Sequence, residues 1–165
     1  MPLDAFQGDT FVAFVDVSGF ARLVRNREKA AAALTQFYRC GFNALREQRR
    51  RIPTEPRVDG FFVSDCGILY GQHLREQQGE IERLSSVLGV LRDTGLCALR
   101  NDLMLTASVA YGHFEVSEML EIQGMEKRPI MGDAYLAAFR TATRKANRAC
   151  DRGNSASYAQ VYQRR

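Results

Sequence analysis

Two aspartates carry the strongest chemical signal in this chain. Asp16 closes the apolar run Phe11-Val12-Ala13-Phe14-Val15, and Asp65 lies in the stretch Phe62-Val63-Ser64-Asp65-Cys66-Gly67. An ionised carboxylate at the end of such a run loses hydration, and it is held there only if a cation or hydrogen-bond donors stand beside it. Two of them point to a divalent ion, because carboxylate oxygens are the ligands that hard cations take. Ser18-Gly19 follows Asp16 directly, a small and permissive turn that leads backbone N–H groups into the next helix, where they suit an anion. A metal beside an anion cradle is what a nucleoside triphosphate requires. On this reading Asp16, Asp65 and the carbonyl of Val17 hold metal, while Ser18, Gly19 and Phe20 hold phosphate.

The elements that must position these groups are legible from periodicity. Thr10 to Val17 is a continuous apolar and β-branched run, suited to a strand covered on both faces. From Ala21 to about Arg51 the spacing of Leu23, Ala30, Leu34, Phe37, Gly41 and Leu45 predicts one long amphipathic helix, stopped by Pro53 and Pro56. Its basic end (Arg46, Arg49, Arg50, Arg51) complements the helix dipole and reads as a solvated terminus. Arg57 to Val63 and Ile68 to Gly71 read as two strands of a hairpin with Asp65 at its tip. A helix from about Leu74 to Leu99 and a strand from Leu103 to Tyr111, closed by Gly112, complete the order β-α-β-β-α-β. That order predicts an α+β, ferredoxin-like fold in which both helices cover one face of an antiparallel sheet. Strand one then lies beside the hairpin, so Asp16 and Asp65 meet although 49 positions separate them (65 minus 16). A polar loop around Gln123 to Pro129 leads to a last helix from Gly132 to about Asp151.

Composition narrows the function classes. The 165 residues, 45% apolar and 25% charged, fit a single soluble globular domain spanning 1–165. A net charge of +4 permits a polyanionic ligand but is too small for a dedicated nucleic-acid binder. Cys40, Cys66, Cys97 and Cys150 form no C-x-x-C pair, which favours reduced thiols and a cytoplasmic location. No apolar run approaches the ~20 residues that a bilayer demands, so no membrane partner is expected. His73 and His113 have no partner at metal-ligand spacing and read as surface residues.

In four places, taken in order, the chain resembles the catalytic domain of the class III nucleotide cyclase family. Phe14-Val15-Asp16-Val17-Ser18-Gly19-Phe20 matches the family's F-x-D-x-x-G-F, and Asp65 matches its second metal aspartate. Val109-Ala110-Tyr111-Gly112 matches a strand ending in glycine, and Gly132 to Arg140 matches G-D-x-V-N-x-A-x-R with Leu136 in place of the asparagine. Phe61 stands where purine cyclases place a base-reading lysine, and Pro129 where they place a second polar reader. A purine site needs polar groups there, because discrimination comes from donors and acceptors that the wrong base leaves unpaired. With intact metal aspartates and S-D in place of G-D at the hairpin, the pattern looks like the bacterial pyrimidine cyclases of Pycsar anti-phage defence.

The resemblance implies a cytoplasmic enzyme that converts UTP or CTP to a 3′,5′-cyclic monophosphate and pyrophosphate with two divalent ions, Mn²⁺ or Mg²⁺. It also implies a homodimer with composite sites, one subunit supplying Asp16 and Asp65 and the other Arg140. The family's C-terminal strands and phosphate-binding lysine have little room in Asn154 to Arg165. Arg140 suits charge stabilisation on the α-phosphoryl group as well as it suits a solvated helix face. Phe61 fits a core position as well as a stacking platform for the base, whose edge Arg57 or Asp59 would read. A purine cyclase reading its base by other contacts, and a non-catalytic nucleotide-binding module of the same fold, are the alternatives.

Overall fold

The first strand, β1, runs Phe6–Val17 and starts earlier than its apolar core predicts. Its partner explains the extra length: β4 (Leu105–Val116) pairs antiparallel with it from Phe6 opposite Val116 to Val17 opposite Leu105. β4 therefore continues past Gly112, where the sequence reading closed it. The computed structural model describes residues 5–51, 57–72, 79–117, 120–122, 125–127 and 129–151. Pro53, Pro56, His73, Gln123 and the segment Asn154 to Arg165 lie outside them, as does the expected helix start at Leu74.

The long helix expected from Ala21 is two helices, α1 (Phe20–Leu23) and α2 (Arg27–Arg51). Asn26 makes the break, since its side-chain oxygen accepts the backbone N–H of Lys29 at 3.0 Å, the bond of an N-cap. The hairpin is formed by β2 (Val58–Val63) and β3 (Cys66–Gly71), with Ser64 and Asp65 between them. α3 (Glu80–Leu99) leads into β4. Part of the stretch read as a polar loop is a short strand, β6 (Met125–Lys127), which pairs with β5 (Leu120–Ile122) just before it in a two-stranded ribbon. β7 (Ile130–Met131) then adds to the edge of β4, and α4 (Asp133–Asp151) follows.

The main sheet has the order β2-β3-β1-β4-β7 with every neighbouring pair antiparallel. Its four longer strands carry the split βαβ order of a ferredoxin-like α+β fold. Alternation along β1 separates two cores. Ala13, Val15 and Val17 pack with Phe37, Leu45, Val87 and Val90 of α2 and α3, as expected for two helices on one face. Val12 and Phe14 point the other way and pack with Tyr70, Phe114, Ala134 and Ala138, so α4 covers the opposite face. β1 is thus buried on both sides, which is why its sequence is a run and not an alternation.

One expectation from composition is corrected. Cys40 of α2 and Cys97 of α3 are joined as a disulfide, with Cα atoms 5.5 Å apart, where reduced thiols were expected. Sequence spacing cannot reveal that two helices meet at that height. Closing 57 residues of chain in this way removes on the order of 4 kcal/mol of unfolded-state freedom by the loop-entropy model.

Candidate active site at the end of the first strand

Asp16 follows Val12 and Phe14 on the face of β1 that α4 covers, directly opposite Cys66 in the β1–β3 register. Asp65 reaches it through the backbone. The Val17 N–H donates to the Asp65 carbonyl at 2.9 Å, which ties the hairpin tip to the end of β1. Ser64, at φ 54°, takes the left-handed conformation that closes a tight two-residue turn. As a result, one donor atom each from Asp16, Asp65 and Cys66 lie within 4.8 Å of one another. The two aspartates expected to meet do so, both half-buried.

Burial and negative charge meet at this cluster. Burial raises the Asp16 carboxyl above its usual range; the Cys66 hydrogen bond opposes that shift, and the charge of Asp65 adds to it. The Cys66 thiol lies 3.4 Å from Asp16 Oδ1 and is pushed up to about 12, first by burial, then by that hydrogen bond and by the two carboxylates. Two carboxylates at this separation repel, and a divalent ion between them reverses the sign of the interaction. The two carboxylates fit the hard divalent ion that the sequence implied. Cys66 was not foreseen as a member of the cluster, though the signal was present: it adjoins Asp65, and an Asp65 hairpin tip beside β1 leaves Cys66 facing Asp16.

The turn expected to hold phosphate is partly engaged elsewhere. The Ser18 N–H donates to the Met104 carbonyl at 2.8 Å, and the Ser18 hydroxyl shares a 2.7 Å hydrogen bond with Thr106. Ser18 is thus engaged with the start of β4, and the Val17 N–H with Asp65, so the share of the turn left for an anion is Gly19 and Phe20. Gly19 stands at φ 77°, a left-handed turn that glycine takes without strain.

The expected base contacts divide. Phe61 is half-buried and packs against the core on the Asp16 face, opposite Ile68. Asp59 is fully buried and ion-paired with Arg49 of α2 and with Arg57, whose Nε lies 3.2 Å away. A carboxylate compensated by two guanidiniums and shut off from solvent does not read a ligand edge, so the expectation for Asp59 is corrected; it pins the end of α2 to β2. Arg140 is exposed on α4, and among the described residues no hydrogen bond or ion pair joins it to Asp16 or Asp65. Its neighbour Phe139 packs edge-on against Phe14 at 5.2 Å, which sets this part of α4 over the strand that carries Asp16. Tyr111 packs on Phe11 and donates to Glu80 at 2.8 Å, as befits a packing residue.

Solved structures share this architecture. The adenylyl cyclase CyaB from P. aeruginosa superposes with a TM-score of 0.59 at 18% identity, over 86% of this chain and 74% of that one. The dimeric guanylyl cyclase domain of the RhoGC fusion protein from the aquatic fungus Blastocladiella emersonii gives 0.64 at 10% identity, over 86% and 77%. This chain has the class III nucleotide cyclase fold. A class III adenylyl cyclase-like ATP-binding protein from Pseudomonas aeruginosa carries the cyclase fold too, with a TM-score of 0.57 at 16% identity over 87% of this chain and 33% of that one. No protein-family model matches the sequence, and no curated protein matches it. No helix among the described residues is long and apolar enough to cross a membrane.

Proposed function

We propose that this chain is a nucleotide cyclase that converts UTP or CTP to the 3′,5′-cyclic monophosphate and pyrophosphate, as a second messenger in anti-phage defence. The observation that carries the proposal is the meeting of the Asp16 and Asp65 carboxylates at the end of β1, on a sheet of cyclase order. A module that only bound a partner would gain nothing from two half-buried like charges held together.

In this reading Asp16 and Asp65, with the Val17 carbonyl, hold two divalent ions, Mg²⁺ or Mn²⁺. Such ions, when bound, favour ionisation of the ribose 3′-hydroxyl and neutralise charge on the triphosphate. Gly19 and Phe20 present backbone N–H groups to the phosphates, and the hairpin-to-β1 bond holds the two carboxylates in place before substrate arrives. Arg140, supplied by the second subunit of a homodimer, stabilises charge on the α-phosphoryl oxygens as the 3′-oxygen attacks and pyrophosphate leaves in line. Phe61, apolar where purine cyclases carry lysine, lies on the Asp16 face and offers the base a ring to stack on. The preference for a pyrimidine rests on that residue and on Pro129.

One observation favours a second reading, a nucleotide-binding module without turnover: Leu136, at the place of the transition-state asparagine, is apolar and exposed. A single assay separates these readings. Purified protein is incubated with ATP, GTP, CTP and UTP in Mn²⁺ or Mg²⁺, and products are identified by mass spectrometry beside Asp65→Asn. The expected result is a cyclic pyrimidine monophosphate that falls at least a hundredfold in the variant while far-UV CD is unchanged. A cyclic purine product overturns the specificity, and nucleotide binding without product supports the module.

A further inference from the structure

Cys66 occupies a position that the proposed reaction does not use. It stands across from Asp16 in the β1–β3 register, and its thiol is free of any disulfide. Its sulfur lies 3.4 Å from Asp16 Oδ1. In a tetrahedral site with metal–sulfur bonds of about 2.3 Å and metal–oxygen bonds of about 2.0 Å, sulfur and oxygen stand about 3.5 Å apart. The spacing already present matches a shared ion as closely as it matches a thiol hydrogen bond. The three donors also come from rigid places: a strand end, a hairpin tip tied to it, and the first residue of the next strand.

We propose that Cys66 is a third metal donor of this site, so that Asp16, Asp65 and Cys66 together take a thiophilic divalent ion of the zinc, cobalt or cadmium class in preference to magnesium or manganese. The inference rests on the reading of Asp16 and Asp65 as a metal site. Two carboxylates alone suit hard ions, whereas a thiolate added to them shifts the preference toward softer ones. The proton displaced from the thiol as the sulfur–metal bond forms passes to buffer. An ion held by all three side chains occupies the position where the carboxylates meet, so zinc at this site competes with the ions that support turnover.

The test titrates the full chain with Co²⁺ and follows thiolate-to-cobalt charge transfer in the near ultraviolet, then measures displacement by Zn²⁺ and by Mn²⁺. A 1:1 band that zinc displaces is expected. In Cys66→Ser and Cys66→Ala, folded by far-UV CD, the band is lost and the ratio of zinc to manganese affinity drops at least tenfold. No band, or a band and affinity ratio that survive in both variants, overturns the proposal. The two readings fail separately. Cyclic product without a cobalt–thiolate band leaves the cyclase and removes Cys66, while a band lost in Cys66→Ser with no product from any nucleotide keeps the thiol donor and removes the cyclase.

Discussion

Asp16 is held in a position that disfavours its own charge. Burial comes first among the causes that raise its carboxyl above the ordinary value of 3.8, and Asp65 adds repulsion. The native protein therefore holds this proton more tightly than the unfolded chain does. Stability from that difference is fully present below the unfolded value and is lost as pH rises through the raised native one. Without divalent ions, the melting temperature of the wild type should fall, relative to Asp16→Asn, as pH climbs from about 4 toward neutrality, by on the order of 2 °C. Mg²⁺ or Mn²⁺ should cancel the difference by binding only the native wild type. Thermal melts of both proteins across pH, with and without metal, check this; a difference that stays constant with pH removes the strain from Asp16.

At the scale of elements, the hairpin and α4 fix the site from opposite directions. The hairpin was legible in sequence, because Ser64-Asp65 interrupts two apolar runs and the Val17 bond follows once those strands pair. The neighbourhood of Asp16 and Asp65 followed from topology alone. Other features were not legible for a common reason: they depend on contacts between elements. Neither the disulfide of α2 with α3, nor the burial of Asp59 against Arg49, nor the capture of the Ser18 N–H by Met104 leaves a periodic trace. α4 is a similar case, an amphipathic helix whose pattern does not say which sheet face it covers. Its entry is set by Gly132, at φ 132°, where an added Cβ would strike the His113 carbonyl oxygen and lie 2.8 Å from the Phe114 Cα. Backbone atoms of β4 cannot yield as a side-chain tip would. Gly132→Ala should therefore cost about 2–4 kcal/mol through strain and overpacking. Because α4 lies over the Asp16 face, turnover should fall with it. Urea unfolding reports the cost, and a midpoint equal to wild type would mean that α4 enters by another path.

For the whole molecule, the decisive matter is whether one chain makes a complete site. Asp16 and Asp65 meet within the chain, whereas Arg140 stands exposed on α4 beside exposed Leu136 and Phe139, with Met131 of β7 also exposed. A cationic side chain set among apolar ones is placed to act on a neighbouring molecule at least as well as on its own strand. If two copies pair about a twofold axis, each site joins the aspartates of one subunit to the arginine of the other. Asp16→Ala and Arg140→Ala homodimers should then each lose nearly all activity. Mixing them in equal amounts with free exchange makes half of the dimers mixed, and each mixed dimer holds one intact site of two, so activity should return to roughly a quarter of wild type. Differently tagged chains establish that exchange has occurred, and steady-state turnover measures the rescue. A mixture that exchanges chains yet stays as inactive as its parents would place Arg140 and the aspartates in one subunit's site or remove Arg140 from the reaction. Recovery near a quarter requires two subunits to complete one site, which ties turnover to protein concentration through the dimer equilibrium.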